Sequence, residues 1–355
     1  MTKHSMTSSS ASPLSGRQLY TQLTQRRLRI VILIALFTLA CFVLDIYIGT
    51  APYSLPEILG SLWQHDSASP ISVIVWDIRL PVALTALVVG ASLSVAGVQM
   101  QTILGNPLAS PFTLGLSAAA SFGAALGLIL GVTLLPDFAI AFAIPVNAFL
   151  VSMAAAWFIY KLSQKRGMTT QMIVLLGTTL VFTFSALLEA LQYIGPDQAL
   201  AAVVFWTMGS LARASWLQLG IMAAVLVIVF TIFARQVWAL TALRLGEARA
   251  TALGIPVARL RLQGILLSSL LASVCVSFVG TIGFVGLVGP HIARMLVGED
   301  QRFLLPTSAL CGACLLSAAS VLSKSLVAGQ VLPIGIVTSL VGVPLFFVLI
   351  LRARS

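Results

Sequence analysis

Three histidines, ten carboxylates and four cysteines are the obvious acid–base, nucleophilic and metal-ligating side chains in these 355 residues. They do not assemble into a reacting constellation. His291, directly after Pro290, has the position of a general base, but no acid or cysteine stands near it at relay or ligand spacing. That favours a structural histidine satisfied by backbone carbonyls. Cys311 and Cys314, three apart, share a helical face, which suits a metal pair or, more simply, two small packing residues. Cys41 and Cys275 lie in other apolar segments, so neither a disulfide framework nor a bound metal is expected. Glu189, with Gln192 and Tyr193 nearby, sits in an apolar run where an ionised carboxylate is costly. It either faces a substrate path or marks the interfacial end of a helix. No Gly-x-x-x-x-Gly-Lys-Ser/Thr occurs, so the chain cannot itself cradle ATP as a P-loop enzyme does.

The telling feature is in the backbone. From Val279 to Arg294 glycine recurs every third residue, at Gly280, Gly283, Gly286 and Gly289, followed by Pro290 and His291. Each glycine costs a helix about 1 kcal/mol and proline more, yet the flanks are apolar enough for a bilayer. Non-helical backbone at membrane depth persists only where protein covers it or where it lines a watery cavity. Gly283, Gly286, Gly289, Pro290 and His291 therefore read as the turn of a broken span beside a pathway.

The elements that must position this turn are membrane helices. Hydrophobic residues make up 59% of the chain and charged residues only 8%. The net charge of +10 could suggest a nucleic-acid partner, but the bases lie between apolar runs of spanning length instead of on one polar face, so none is expected. An all-α, polytopic domain is expected over residues 28–352, after a Ser/Thr-rich, disordered cytoplasmic tail at 1–27. Spans are read near 28–48, 80–104, 109–131, 137–160, 170–194, 215–236, 261–281, 290–298, 303–326 and 335–351. With both ends cytoplasmic, 17 of the 20 bases fall inside and only Arg79, Arg213 and Lys324 outside. This is the positive-inside bias. The segment 53–76, with Glu57, His65, Asp66, Trp63 and Trp76, reads either as an interfacial helix or as a plain solvated loop.

Three further segments are informative. Arg79-Leu-Pro81 opens the second span, which ends at Gly105-Asn-Pro-Leu-Ala-Ser-Pro111, a polar turn that serves as a connector or as part of a gate. The loop 239–261 contains Leu245-Gly-Glu-Ala-Arg-Ala-Thr-Ala-Leu-Gly-Ile-Pro256, read as two short helices, with Glu247 at a helical start and Gly254 and Pro256 as stop and restart. Lys324 precedes Leu332-Pro-Ile-Gly335 and the last span.

In this order and spacing, Arg79-Leu-Pro81, Asn106-Pro-Leu-Ala109, Leu245-Gly-Glu247 with Leu253-Gly254, Gly283 to Arg294, Leu304-Leu-Pro306 and Leu332-Pro-Ile-Gly335 resemble the FecCD-type permease family of ABC importers. The resemblance covers roughly residues 28 to 352. It implies a type II importer architecture of ten-helix subunits paired, as two copies or with a paralogue, around a central path in the bacterial inner membrane. A cytosolic ATPase pair holding ATP–Mg sits below, and a periplasmic substrate-binding protein docks above. It further implies that Glu247, Ala248, Leu253, Gly254 and Pro256 lie in coupling helices, that Asn106, Leu108 and more loosely Thr170 belong to the cytoplasmic gate, and that Arg79 and Lys324 meet the binding protein. Val82, Ser320 and Val331 depart from the family's usual arginine, acid and glutamate, so docking contacts are thinner here and Arg213 is the expected substitute. Ferric siderophore is the expected cargo, with haem or cobalamin next. A proton-coupled secondary transporter titrating Glu189 remains the rival.

The charge asymmetry makes a first prediction. In a background lacking the native cysteines, Arg249→Cys should react with an impermeant thiol reagent only from the cytosolic side; labelling from the periplasm would overturn the topology.

Overall fold

The computed structural model describes residues 16–49, 51–63, 69–132, 142–164, 169–327 and 329–352. The described residues are helical or in turns and contain no strand. In chain order the helices are α1 (Gly16–Tyr47), α2 (Leu55–Trp63), α3 (Pro70–Val73), α4 (Leu80–Ile103), α5 (Leu116–Leu130), α6 (Ala143–Ser163), α7 (Thr170–Ile194), α8 (Asp197–Thr207), α9 (Trp216–Arg235), α10 (Val237–Leu243), α11 (Glu247–Ala252), α12 (Val257–Val279), α13 (Val285–Val297), α14 (Gln301–Ser325) and α15 (Ile334–Arg352). Seven of these segments are long and apolar enough to cross a membrane, and three shorter apolar helices, starting at Leu116, Val285 and Ile334, occupy the other three expected places. A helix of the length of α13 rises only about 20 Å, short of a hydrocarbon core of about 30 Å, so extended chain must complete that crossing.

Helix α4 is the axis of the bundle. Every residue from Val89 to Ile103 is buried, and α12, α13 and α14 pack around it. Small residues make this possible. A Cβ on Gly90 would collide with the Gly312 carbonyl of α14, and one on Gly97 with the Gly286 carbonyl of α13. The second contact has a specific cause. Pro290, four residues beyond Gly286, has no N–H to give that carbonyl, so the oxygen is turned toward α4, where only glycine leaves room. Some buried hydroxyls link the helices: Ser94 donates to Ser308 O at 2.6 Å, and Ser152 and Ser273 share a bond of 2.7 Å. Helices α1, α7 and α9 form the periphery and leave most of their apolar side chains exposed.

Several expected boundaries shift. The first helix begins at Gly16, so residues 16–27 extend α1 instead of forming a tail; residues 1–15, His65, Asp66, Lys165 and Arg166 lie outside the described residues. The second span begins at Pro70, ten residues early, and passes through a π-helical turn, Ile74–Arg79. In that register Leu80 donates to Val75 O. Pro81 would donate next to Trp76 O but cannot; the Trp216 indole N–H takes its place at 3.2 Å. Trp76 thus belongs to the span, and only α2 remains of the expected interfacial helix. The broken-span turn also moves. Gly286, Gly289, Pro290 and His291 are helical in α13, and the irregular backbone is Gly280 to Phe284. Helix α8 was not anticipated.

Close packing at glycine predicts that Gly97→Val lowers the melting temperature of the detergent-solubilised protein, a loss of about 1–3 kcal/mol or more from overpacking. Gly220→Ala, where nothing lies within 4 Å, should not lower it; equal effects would show that the α4–α13 approach is unimportant.

Candidate functional site

The exposed handle between α9 and α12 is built on two glycines. Helix α10 ends at Leu243, Gly246 turns the chain at φ 101°, and α11 starts at Glu247. Gly254, at φ 79°, ends α11, and the restart after Pro256 is the span α12, so of the two short helices expected within 245–256 only α11 is there; the other short helix, α10, precedes that segment. A Cβ would meet nothing at either glycine; what each position needs is the left-handed conformation. Ala250 is buried and pins α11. Glu247, Ala248, Leu253, Gly254 and Pro256 all face outward, and Leu253 is 65% exposed.

This handle is tied to its neighbours by charge. Glu247 pairs with Arg261, whose Nε reaches Ile103 O at 3.4 Å at the end of α4. Arg244 pairs with Glu299, which also holds Arg294 Nε at 3.1 Å, and Arg294 donates to Gln101 Oε1 at 2.9 Å. Asp300 accepts from Arg302 at 2.6 Å and from Arg27 at 3.3 Å. The Arg302 side-chain hydrogen bonds, with its backbone N–H and the Arg27 charge, hold the Asp300 carboxyl below the usual carboxylate range. The stability from this cluster is therefore complete above the ordinary carboxylate pKa and disappears as pH falls through the depressed one.

The expected gate turn is a compact loop at the end of α4. Asn106 Oδ1 accepts from Leu108 N at 2.9 Å, and Asn106 N donates back to Gln101 O at 3.2 Å. Gly105 supplies the left-handed residue at φ 56°, and Leu108 is exposed. Thr170 is the first residue of α7, whose cap is Thr169 Oγ1 accepting from Met172 N at 3.3 Å. Helix α7 then leans on the 112–115 segment through Gly177, where a Cβ would lie 2.6 Å from Thr113 O. Glu189 is exposed near the end of α7.

The irregular segments converge at the break. Phe284, at φ 66°, is the one non-glycine residue with positive φ among the described residues, a strained conformation of the kind that gathers at functional sites. Ser210 N donates to Val279 O at 2.7 Å, Gly335 N to Met208 O at 2.9 Å and Ile334 N to Gly209 O at 3.3 Å, while Thr281 Oγ1 bonds Thr207 O. A cleft opens beside them, lined by Phe112, Ser117, Thr207, Thr281, Gly283 and Ser339. A Cβ on Gly283 would meet nothing within 4 Å. His291 is half-buried, and among the described residues no carbonyl partner satisfies it, contrary to expectation; it lies on α13 away from the break.

On the opposite face the three expected docking bases are occupied. Arg79 is 4% exposed; its guanidinium donates to Ile46 O at 3.1 Å and Tyr47 O at 2.8 Å and to Ala51 O, closing the end of α1. Lys324 Nζ bonds Asp45 Oδ1 at 2.7 Å and Asp45 O at 2.9 Å. Ser320 Oγ donates to the same carboxylate oxygen at 2.7 Å, so the acid missing at position 320 is supplied by α1. Arg213 donates to Phe205 O at 2.6 Å and Trp206 O at 3.3 Å, closing α8. Of the three, Lys324 is paired with an acid, while Arg79 and Arg213 spend their donors on backbone carbonyls. Between them lies a pocket of about 200 Å³, bordered by Gly49, Arg79, Leu211, Ser320 and Lys324. Asp45 escaped the sequence reading although it is the lone acid of the first apolar run; Glu299 and Asp300 escaped although they are adjacent acids among arginines.

The profile of the FecCD transport family matches residues 36–352. The chain belongs to the FecCD transport family. It is 38% identical over 295 residues to the hemin transport system permease protein HmuU of Yersinia pestis, covering 83% of this chain and 88% of that protein. It is 36% identical over 299 residues to the vitamin B12 import system permease protein BtuC of Vibrio cholerae, with the same coverage. A solved metal-chelate type ABC transporter in an inward-facing conformation superposes with a TM-score of 0.81 at 33% identity, covering 91% of this chain and 99% of that one. The chain is accordingly a multi-pass inner-membrane protein and the permease subunit of an ABC importer, not an enzyme. The proton-coupled alternative finds no support in that family.

The buried pair predicts a measurable asymmetry. Lys324→Met alone should cost about 3–5 kcal/mol, because it strands the Asp45 carboxylate, whereas Lys324→Met with Asp45→Leu should recover most of the loss. Melting in detergent checks this; a single variant as stable as the parent would mean the pair contributes nothing.

Proposed function

We propose that this permease, paired with a second permease copy or a paralogue, moves a ferric siderophore across the inner membrane at the expense of ATP–Mg bound to a cytosolic ATPase pair. The observation that carries the coupling half of this reading is the outward-facing α10–α11 handle. Its exposed Leu245 and Leu253 have no cover within the chain, and its ion pairs run directly to the end of α4 beside the Asn106–Leu108 turn. An ATPase gripping Glu247 to Pro256 displaces that handle, and the gate turn follows. Both termini and the arginine-rich face are then cytosolic, in line with the positive-inside bias.

Cargo handed over by a periplasmic binding protein crosses between the two permeases and leaves past Asn106, Leu108 and Thr170, with Glu189 on the exposed face of α7 available to the path. A bulky chelate suits a route between subunits, and the likeness to a metal-chelate type transporter supports that cargo class. Haem is the second reading, favoured by the HmuU relative. Because Arg79, Arg213 and Lys324 are engaged, the binding protein meets the rim of their pocket rather than unengaged side chains, and membrane lipid surrounds the rest.

Proteoliposomes holding the permease, its ATPase and its binding protein should accumulate a 55Fe-labelled siderophore only with ATP, and should not accumulate labelled hemin or cobalamin. Hemin uptake without siderophore uptake would sink the cargo assignment. Glu247→Ala with Gly254→Val should leave ATP hydrolysis intact while uptake drops about tenfold, within the usual range of coupling between sites. Glu189→Gln should leave ATP dependence unchanged. Normal uptake by the handle variant would disprove the coupling role.

A further inference from the structure

Among the described residues, Glu299 stands where the handle, the helix that follows the break and the gate turn are joined through side chains. It lies in the three-residue link between α13 and α14. Its Oε1 is shared: Arg244, at the end of α10, approaches from one side, and Arg294 Nε of α13 lies 3.1 Å away on the other. Arg294 in turn donates to Gln101 Oε1 at 2.9 Å, and the Gln101 carbonyl accepts from Asn106 N at 3.2 Å. An unbroken line of polar contacts thus leads from the handle to the first residue of the gate loop. It passes through the helix whose start is the strained Phe284.

The node is half open to solvent. The Arg294 side chain is 15% exposed and the Glu299 side chain 43%, while Glu299 Oε2 and Arg294 Nε are buried without a hydrogen-bond partner among the described residues, so the Arg294–Glu299 contact is an ion pair and not a hydrogen bond. A carboxylate held between two guanidiniums in a partly dry site resists separation from either, because losing one partner leaves charge poorly solvated. The parallel link, Glu247–Arg261–Ile103, reaches α4 but not α13. A second link, from Thr241 of α10 through Gln301 to Thr102, also reaches α4 without touching α13. Among the described residues, the Glu299 node contacts both α10 and α13.

We infer that Glu299 is a positioning residue that transmits displacement of the α10–α11 handle to α13 and to the Asn106–Leu108 turn. This rests on the coupling reading proposed above. The test uses the assembled permease–ATPase complex in liposomes, with the native cysteines replaced and a fluorophore on Leu108→Cys; the readouts are ATP hydrolysis and the ATP-dependent change in iodide quenching of the label. Relative to this labelled parent, E299Q and R244Q should each keep hydrolysis within about twofold while cutting the quenching change about tenfold, a loss within the usual range of intersite coupling. The R244Q/E299Q pair should be no worse than either alone, since both act through one contact.

An E299Q response equal to the parent's overturns the inference, as do losses that multiply in the pair. If E299Q melts at a lower temperature, R244K/E299D, which keeps both charges, must recover at least half of the parent's quenching change, and failure to do so overturns it equally. A labelled parent that shows no ATP-dependent change would defeat the coupling reading itself and this inference with it; a responsive parent with an unaffected E299Q defeats only the role of Glu299.

Discussion

Hydrocarbon does not hydrogen-bond, so every peptide group at membrane depth needs a partner within the protein. A helix meets this demand automatically; a broken span does not. Two other irregular segments sit beside the non-helical Gly280–Phe284 segment, and the chain satisfies its polar groups around the break. Met208, Gly209 and Ser210 bond to α12 and α15 by their backbones, and Thr207 receives the Thr281 hydroxyl. The architecture follows from that requirement. Helix α8 stops at Thr207 to bring its turn into register, Arg213 closes the end of α8, and Gly335 approaches so closely that a Cβ would lie 2.5 Å from the Met208 carbonyl.

The same scarcity of solvent organises the charges. Arg79 neutralises the open carbonyls at the end of α1, and Lys324 is matched by Asp45 from that same helix. Both bases tie α1 to the bundle from neighbours distant in sequence. They do so at its C-terminal end, while Arg27 and Asp300 do so nearer its N-terminal end. Helix α1 has little buried apolar surface, and apolar packing against lipid does not distinguish a neighbouring helix from solvent tails. Polar contacts at its two ends fix its place.

Much of this was legible in the residues. Apolar runs and the placement of arginines located the ten helices, because both signals are set by one-dimensional physics: hydrophobic thickness and charge bias. The handle was legible because Gly246, Gly254 and Pro256 have conformational meanings independent of tertiary context. The break was recognised but misplaced. Glycine spacing alone does not separate a glycine needed for its φ, such as Gly280, from one needed for close approach, such as Gly286, whose carbonyl faces Gly97. The internal contacts of Arg79 and Lys324 were not legible for a related reason. A base at the end of a span has the same signature whether it faces a partner or its own chain, and the deciding residue, Asp45, lies about 280 positions away from Lys324 in the sequence. Helix α8 was hidden because its eleven residues are too few to span and too apolar to read as a loop.

The handle differs from the rest of the surface in one respect that bears on mechanism. Leucines on α1, α7 and α9 are exposed too, but on helices long and apolar enough to lie in a membrane. Leu245 and Leu253 sit beside Glu247, Arg249 and Arg259 in a segment too polar and too short to lie in hydrocarbon. Water would surround them in an isolated chain. Apolar side chains held out on a rigid, glycine-bounded helix and framed by charge have the composition of an interface core with its polar rim. The ion pairs through Arg244 and Arg261 tie its base to α4 and α13, so a partner bound at α11 would push on a braced lever and not on a flexible loop.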